Sequence, residues 1–216
     1  MAHIIKRFPF VRGVFISGDL SKGVADAKSD IDYVIVTEPK RLWICRTLLI
    51  LFKKVFLFNQ KKYFCLNYFV ASDNLVLEDH NYFTATEIAH LKPLYNFNLY
   101  MRYMNANRWI KIYFPNFTAF AFGLKRTNNR PSIIQPFIEY LFRGSRADRL
   151  ENRLMTMMKG VWQKRYPQYD QEARERLFRC SPHESRAYVG NFADKVLNRY
   201  SDRLAAHDIR DSHLIP

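Results

Sequence analysis

Residues 14–36 read VFISGDLSKGVADAKSDIDYVIV, and the fold follows from how this stretch divides. Gly13 to Ser17 is a short β-branched and aromatic run ending at Gly18, which predicts a strand entering a turn. Gly18 to Ser29 is rich in Gly, Ser, Asp and Lys, the composition of a loop with at most a short helix. Asp30 to Thr37 predicts a second strand, stopped by Pro39. Asp30 and Asp32 stand two residues apart at its start, so strand alternation sends both side chains to one face. Two carboxylates held that close repel, and one takes up a proton unless a cation neutralises them. Mg²⁺ suits that role, because it accepts a few carboxylate oxygens and lets phosphates complete its shell.

An Asp-x-Asp pair alone is most often a solvated strand end. Here the turn Gly18-Asp19-Leu20-Ser21-Lys22-Gly23 precedes it. Gly18 permits close backbone approach, amides that open a helix can hold phosphate oxygens, and Lys22 adds a point charge. An anion cradle ending one strand and an acidic pair beginning the next are the parts that phosphoryl or nucleotidyl transfer needs.

Outward from this stretch, Lys40 to Phe58 predicts a helix apolar on most faces, suited to lying buried on a sheet. Its apolar run from Leu42 is interrupted by Arg46, Lys53 and Lys54 and falls short of a membrane span. Lys61 and Lys62 mark a turn, Tyr63 to Ala71 a third strand, and Asn74 to Glu78 a short fourth. Thr84 and Glu87 have capping-box spacing at the start of a helix running to Leu91. After Tyr95 strand signals weaken, and helices are expected over Asn98 to Phe114, Ile138 to Arg165 and Asn191 to Ala206. Asn116 to Pro136 is less regular, with a polar break from Lys125 to Arg130, and Pro182-His183-Glu184 reads as a turn. The expected architecture is α+β: a mixed sheet flanked by helices over residues 1–95, then a basic, aromatic-rich helical region over 96–216.

The run FISGDLSKG, a short spacer and SDIDYVIV resemble the signature of the nucleotidyltransferase superfamily, and the resemblance covers roughly residues 11 to 95. It implies a nucleotidyltransferase fold whose site binds a nucleoside triphosphate, ATP first among them, with two Mg²⁺. An acceptor hydroxyl then attacks the α-phosphorus and pyrophosphate leaves. Carried over by position, Gly18 approaches the terminal phosphates, and Asp30 and Asp32 hold the metals. Two positions depart from the pattern. Asp19 stands where the family has Ser, leaving Ser17 or Ser21 to donate that hydrogen bond. On the third strand the alternation Cys65, Asn67, Phe69 puts Asn67 in the place of a third carboxylate. Asparagine can ligate a metal through its carbonyl oxygen but cannot accept a proton as a general base; Asp73, Glu78 and Asp79, further along, are the alternatives, against the strand register. The expected site is therefore Asp30, Asp32 and Asn67 for the chemistry, with Ser17, Gly18, Asp19, Ser21 and Lys22 around the nucleotide.

The chain has 216 residues and a formal net charge of +14, with 13 basic and 9 acidic residues through Tyr95 and 21 and 11 beyond it. The excess in the C-terminal part would attract polyanions such as nucleic acid without choosing among them. Arg102, Arg108 and Lys111 alternate with Tyr100, Tyr103, Trp109 and Tyr113, which suits either base stacking or an ordinary amphipathic helix. Cys45, Cys65 and Cys180 are scattered, which argues against zinc and for a reducing, cytoplasmic setting. The six histidines do not cluster. Besides catalysis, the sequence admits a non-catalytic nucleotide- or nucleic-acid-binding module and, more weakly, a partner-binding scaffold.

Overall fold

A computed structural model describes residues 1–60, 62–119, 134–187 and 192–207, with the side chains of all but Asn67, Ile134, Arg176 and Phe192. In chain order the elements are α1 (Ala2–Ile5), β1 (Val11–Ser17), α2 (Gly18–Lys22), β2 (Asp32–Thr37), α3 (Leu42–Phe56) and β3 (Cys65–Ala71). There follow α4 (Tyr82–Ala89), β4 (Lys92–Tyr95), α5 (Phe97–Ala106), a 3-10 turn (Arg108–Ile112), α6 (Ile134–Leu141) and α7 (Gly144–Arg165). The chain ends with α8 (Gln171–Leu177), β5 (Phe178–Cys180), β6 (Glu184–Ala187) and α9 (Phe192–Ala206). The fold is α+β. Among the described residues six strands form one mixed sheet in the order β4-β1-β2-β3-β6-β5. Of these strands β2 and β3 run parallel, joined by the crossover helix α3, and the other described neighbours are antiparallel.

Strand alternation divides the core in two. Tyr33, Ile35, Phe69 and Ala71 point to the face covered by α3 and α7, where they pack with Leu42, Trp43 and Trp162. Val34, Val36, Tyr68 and Val70 point to the other face and pack with Ile88, Leu99 and Tyr103 from α4 and α5. On the first face the N-terminus of α3 has no side-chain cap of its own. Glu151 of α7 supplies one: Trp43 N–H and Ile44 N–H donate to its two oxygens at 2.7 and 2.9 Å. Arg12 of β1 bridges Glu38 and Glu139, tying α6 to the sheet.

Several expectations change. No strand forms over Asn74 to Glu78; the chain there is loop. The cap of α4 is Asn81, whose side chain accepts from Thr84 N–H at 2.9 Å, so Glu87 is released from the expected capping box. The helix expected over Ile138 to Arg165 is two, α6 and α7, divided where Gly144 takes φ +77°. The region after Tyr95 is not purely helical: β5 and β6 form a hairpin about the turn at Pro182-His183 and extend the same sheet beside β3. Residues 120–133 of the less regular stretch, and Lys61 of the turn, lie outside the described residues. Among the described residues no helix is long and apolar enough to cross a membrane.

Candidate functional site

Ser17 ends β1 in an extended conformation, and Gly18 turns the chain into α2 with φ +68°. Two constraints make this residue glycine. A side chain is strained at that φ, and a Cβ there would run into the carboxylate of Asp32, whose Cγ and Cβ would lie only 3.2 and 3.3 Å away. The glycine turn and Asp32 are thus in direct contact, although they stand 14 positions apart in the chain. Hydrogen bonds shape that loop: Asp26 accepts from Lys28 N–H and Ser29 N–H, and Ser29 Oγ donates to Asp19 at 3.3 Å.

The contact forms one wall of a cavity of about 370 Å³, within the roughly 300–1,000 Å³ of small-molecule sites. Ser17, Gly18, Asp19, Lys22, Asp30 and Asp32 all line it. Ser21 does not; it is buried, and its hydroxyl donates to the Gly18 carbonyl at 2.8 Å, holding the turn rather than facing the cavity. Val34 follows Asp30 and Asp32 on the same wall, as a period of two requires.

On β3 the simple alternation fails. Asp32 pairs with Cys65 and Tyr33 with Leu66, but Val34 pairs with Tyr68, so Asn67 is an extra residue at a bulge. Past the bulge it is Tyr68 that reaches the cavity wall beside Val34. The side chain of Asn67 lies outside the described residues. Asp73, Glu78 and Asp79 do not line the cavity. Asp79 is instead the shared partner of Arg179, at 2.7 Å, and Arg186, and these cations hold its carboxyl below the ordinary range against the effect of burial.

The cavity also contains charged residues that strand reasoning missed. Glu87 of α4 lines it and forms an ion pair with Lys22. Arg186 of β6, only 3% exposed, also lines it, and Ala193 brings in α9. Asp32 sits at the centre of this field. Burial raises its carboxyl pKa; a hydrogen bond with the Cys65 thiol opposes the shift, and the charges of Asp30, Glu87 and Asp19 add to it. Burial and the Asp32 charge push Cys65 up to about 12, so it stays a thiol. Asp32 is therefore a half-buried carboxylate among like charges.

Searches against protein-family models, curated proteins and solved structures found no match.

Four carboxylates around one cavity, with Lys22 and Arg186 each held by an acid, favour an added cation. Among the described residues no three His, Cys, Asp or Glu side chains form a complete metal cage. Two hard oxygen donors, Asp30 and Asp32, beside an open cavity fit Mg²⁺, which usually takes one or two carboxylates and completes its shell from phosphate and water.

Proposed function

We propose that this chain is a Mg²⁺-dependent nucleotidyltransferase that moves a nucleoside monophosphate from a nucleoside triphosphate, ATP first among them, to a hydroxyl acceptor. The observation that carries the proposal is the packing of the Gly18 turn directly against Asp32 in a cavity crowded with carboxylates. The resemblance of residues 11 to 95 to nucleotidyltransferases, carried by the same turn and acidic pair, agrees with it. Asp30 and Asp32 would hold the metal, which supplies charge neutralisation and polarisation of the phosphates when bound.

The chain's own residues do the rest. Gly18, lacking a side chain, lets phosphate oxygens approach the backbone. Lys22 and Arg186 set a positive border on an otherwise acidic cavity and orient the polyphosphate. In the reaction the acceptor oxygen forms a bond to the α-phosphorus as the bridging bond to the β-phosphate breaks, and pyrophosphate leaves. The hydroxyl proton needs a base, which Asn67 cannot be. Beyond the Asp pair the cavity holds Asp19, which accepts from Ser29, and Glu87; we assign the role to Glu87, and nucleotide phosphates would draw Lys22 away from it. The three free thiols fit the cytoplasmic setting expected from the sequence.

Pyrophosphate release with each nucleoside triphosphate and Mg²⁺, for the wild type and for Asp30→Ala/Asp32→Ala, tests the proposal. Equal signal from the two proteins would sink it. A second reading is a nucleotide- or nucleic-acid-binding module without turnover, favoured by Asn67 and by the engagement of Lys22 with Glu87. It predicts binding that weakens steeply with salt and yields no product. A gain of activity in Asn67→Asp would identify a lost base on β3 and remove Glu87 from the role.

A further inference from the structure

The second half of α3 and the loop after it form a surface that the cavity does not use. Leu42 through Cys45 and Leu49 are buried, as the sequence predicts for a helix lying on a sheet. Beyond them Phe52 and Leu57 still pack partly against this core, but Val55 is 63% exposed, Phe56, stacked on Phe52, is 67% exposed and Phe58 88%. Phe58 and Asn59 both take positive φ, 46° and 59°, an uncommon conformation for residues other than glycine, at the tip that carries the Phe58 ring into solvent. Large apolar side chains grouped on a surface mark a place where something else covers them.

The charge around this tip indicates what covers it. Residues 39–72 contain seven Lys and Arg and no Asp or Glu. Arg41 is committed to Asp148, and Arg46 is enclosed by the rings of Trp43, Phe69 and Trp162. Lys54 and Lys62 remain exposed beside the phenylalanines, the Lys62 ammonium lying 5.4 Å from the Tyr63 ring. A second copy of this chain would set lysine against lysine across a two-fold interface. The tip is the end of a helix and a protruding loop, not a groove that would receive a peptide. Protruding aromatic and aliphatic side chains bordered by lysines match the interface of an anionic bilayer, with the rings at the acyl boundary and the ammonium groups at phosphates.

We propose that the α3–β3 connection docks the protein on an anionic lipid membrane, with Phe56 and Phe58 entering the interface and Lys54 and Lys62 meeting headgroup phosphates. The surface is tied to the candidate site: Ile31 N–H donates to the Lys62 carbonyl at 2.8 Å, and Cys65 N–H to the Ile31 carbonyl at 3.2 Å. Docking therefore holds the Asp30–Asp32 end of the sheet near the lipid. The proposal rests on this surface alone and stands whether or not the cavity transfers nucleotides.

The test is co-sedimentation of the full chain with phosphatidylcholine vesicles and with vesicles that also contain phosphatidylserine. The wild type is expected to pellet with the anionic vesicles, less so as salt rises. Phe58→Ser and Lys54→Glu/Lys62→Glu should each weaken this roughly tenfold or more, with the melting temperature unchanged. Three results would overturn the proposal. One is wild type left in the supernatant. Another is variants that bind like wild type, which would assign binding to overall charge. The third is a dimer dispersed by Phe58→Ser without vesicle binding.

Discussion

Glu151 and Asp32 are both carboxylates that burial raises above their ordinary pKa, yet they lie on opposite faces of the sheet in opposite circumstances. Each oxygen of Glu151 accepts a backbone N–H at the start of α3, and the positive charge of Arg41 assists. Asp32 has the thiol of Cys65, against the charges of Asp30, Glu87 and Asp19. A buried carboxylate whose lone pairs are matched by donors is a structural device. One surrounded by like charges in a cavity costs stability, and such groups cluster where chemistry is done. On the proposed function, the α3 face serves stability and the α4–α5 face a ligand.

The largest effect that would sharpen this comparison is on turnover. Asp32→Asn should lower pyrophosphate release roughly a thousandfold, whereas Glu151→Gln, assayed below its melting temperature, should keep most of it. Comparable activity losses at unchanged stability would break the division between the faces. Next, Gly18→Ala should cost about 1–3 kcal/mol of stability, since its side chain meets both a positive φ and Asp32. Its activity should fall more than this stability loss explains, which nucleotide titration at a temperature where the variant is folded would show. Third, Glu151→Gln puts an amide N–H₂ against one of the two backbone donors of α3. It should cost about 1–3 kcal/mol, a fall in Tm of roughly 2–10 °C for a chain of this size. Calorimetry reads it directly.

The smallest effect is the most diagnostic, because the same kind of substitution should act in the opposite direction. The raised Asp32 pKa means that the unfolded chain releases this proton first as pH rises. Stability is then lost from the ordinary aspartate value of 3.8 upward, through the raised value, and stays lost above it. Asp32→Asn removes that loss, so without Mg²⁺ its Tm should exceed the wild type's at neutral pH, and the difference should shrink as pH falls below 3.8. Melting curves across pH check it. A lower Tm for Asp32→Asn at neutral pH would place Asp32 with Glu151 among structural carboxylates.

How much of this was legible in the chain depends on how local each feature is. The strands β1, β2 and β3 and the helix α3 announce themselves through runs of β-branched, aromatic or aliphatic residues. β4 does not: Lys92-Pro-Leu-Tyr contains a proline, which a strand tolerates here because β4 lies at the sheet edge. β5 and β6, three and four residues long and rich in charge, carry no periodic signal and exist because β3 offers an open edge. The α3 helix was half legible. Its apolar length predicts burial, but the sheet covers only its first half.

The sequence by itself determined the Gly18 turn and the shared face of Asp30 and Asp32. Both follow from backbone geometry within a few residues: a positive φ, and a period of two. Tertiary structure alone decided that the turn and the pair touch, and that a bulge at Asn67 passes the cavity wall to Tyr68. It also brought Glu87 and Arg186 to face them from α4 and β6. Those contacts join positions from 14 to over 150 residues apart, and no local pattern encodes them, because burial and pairing depend on which surfaces the whole chain brings together.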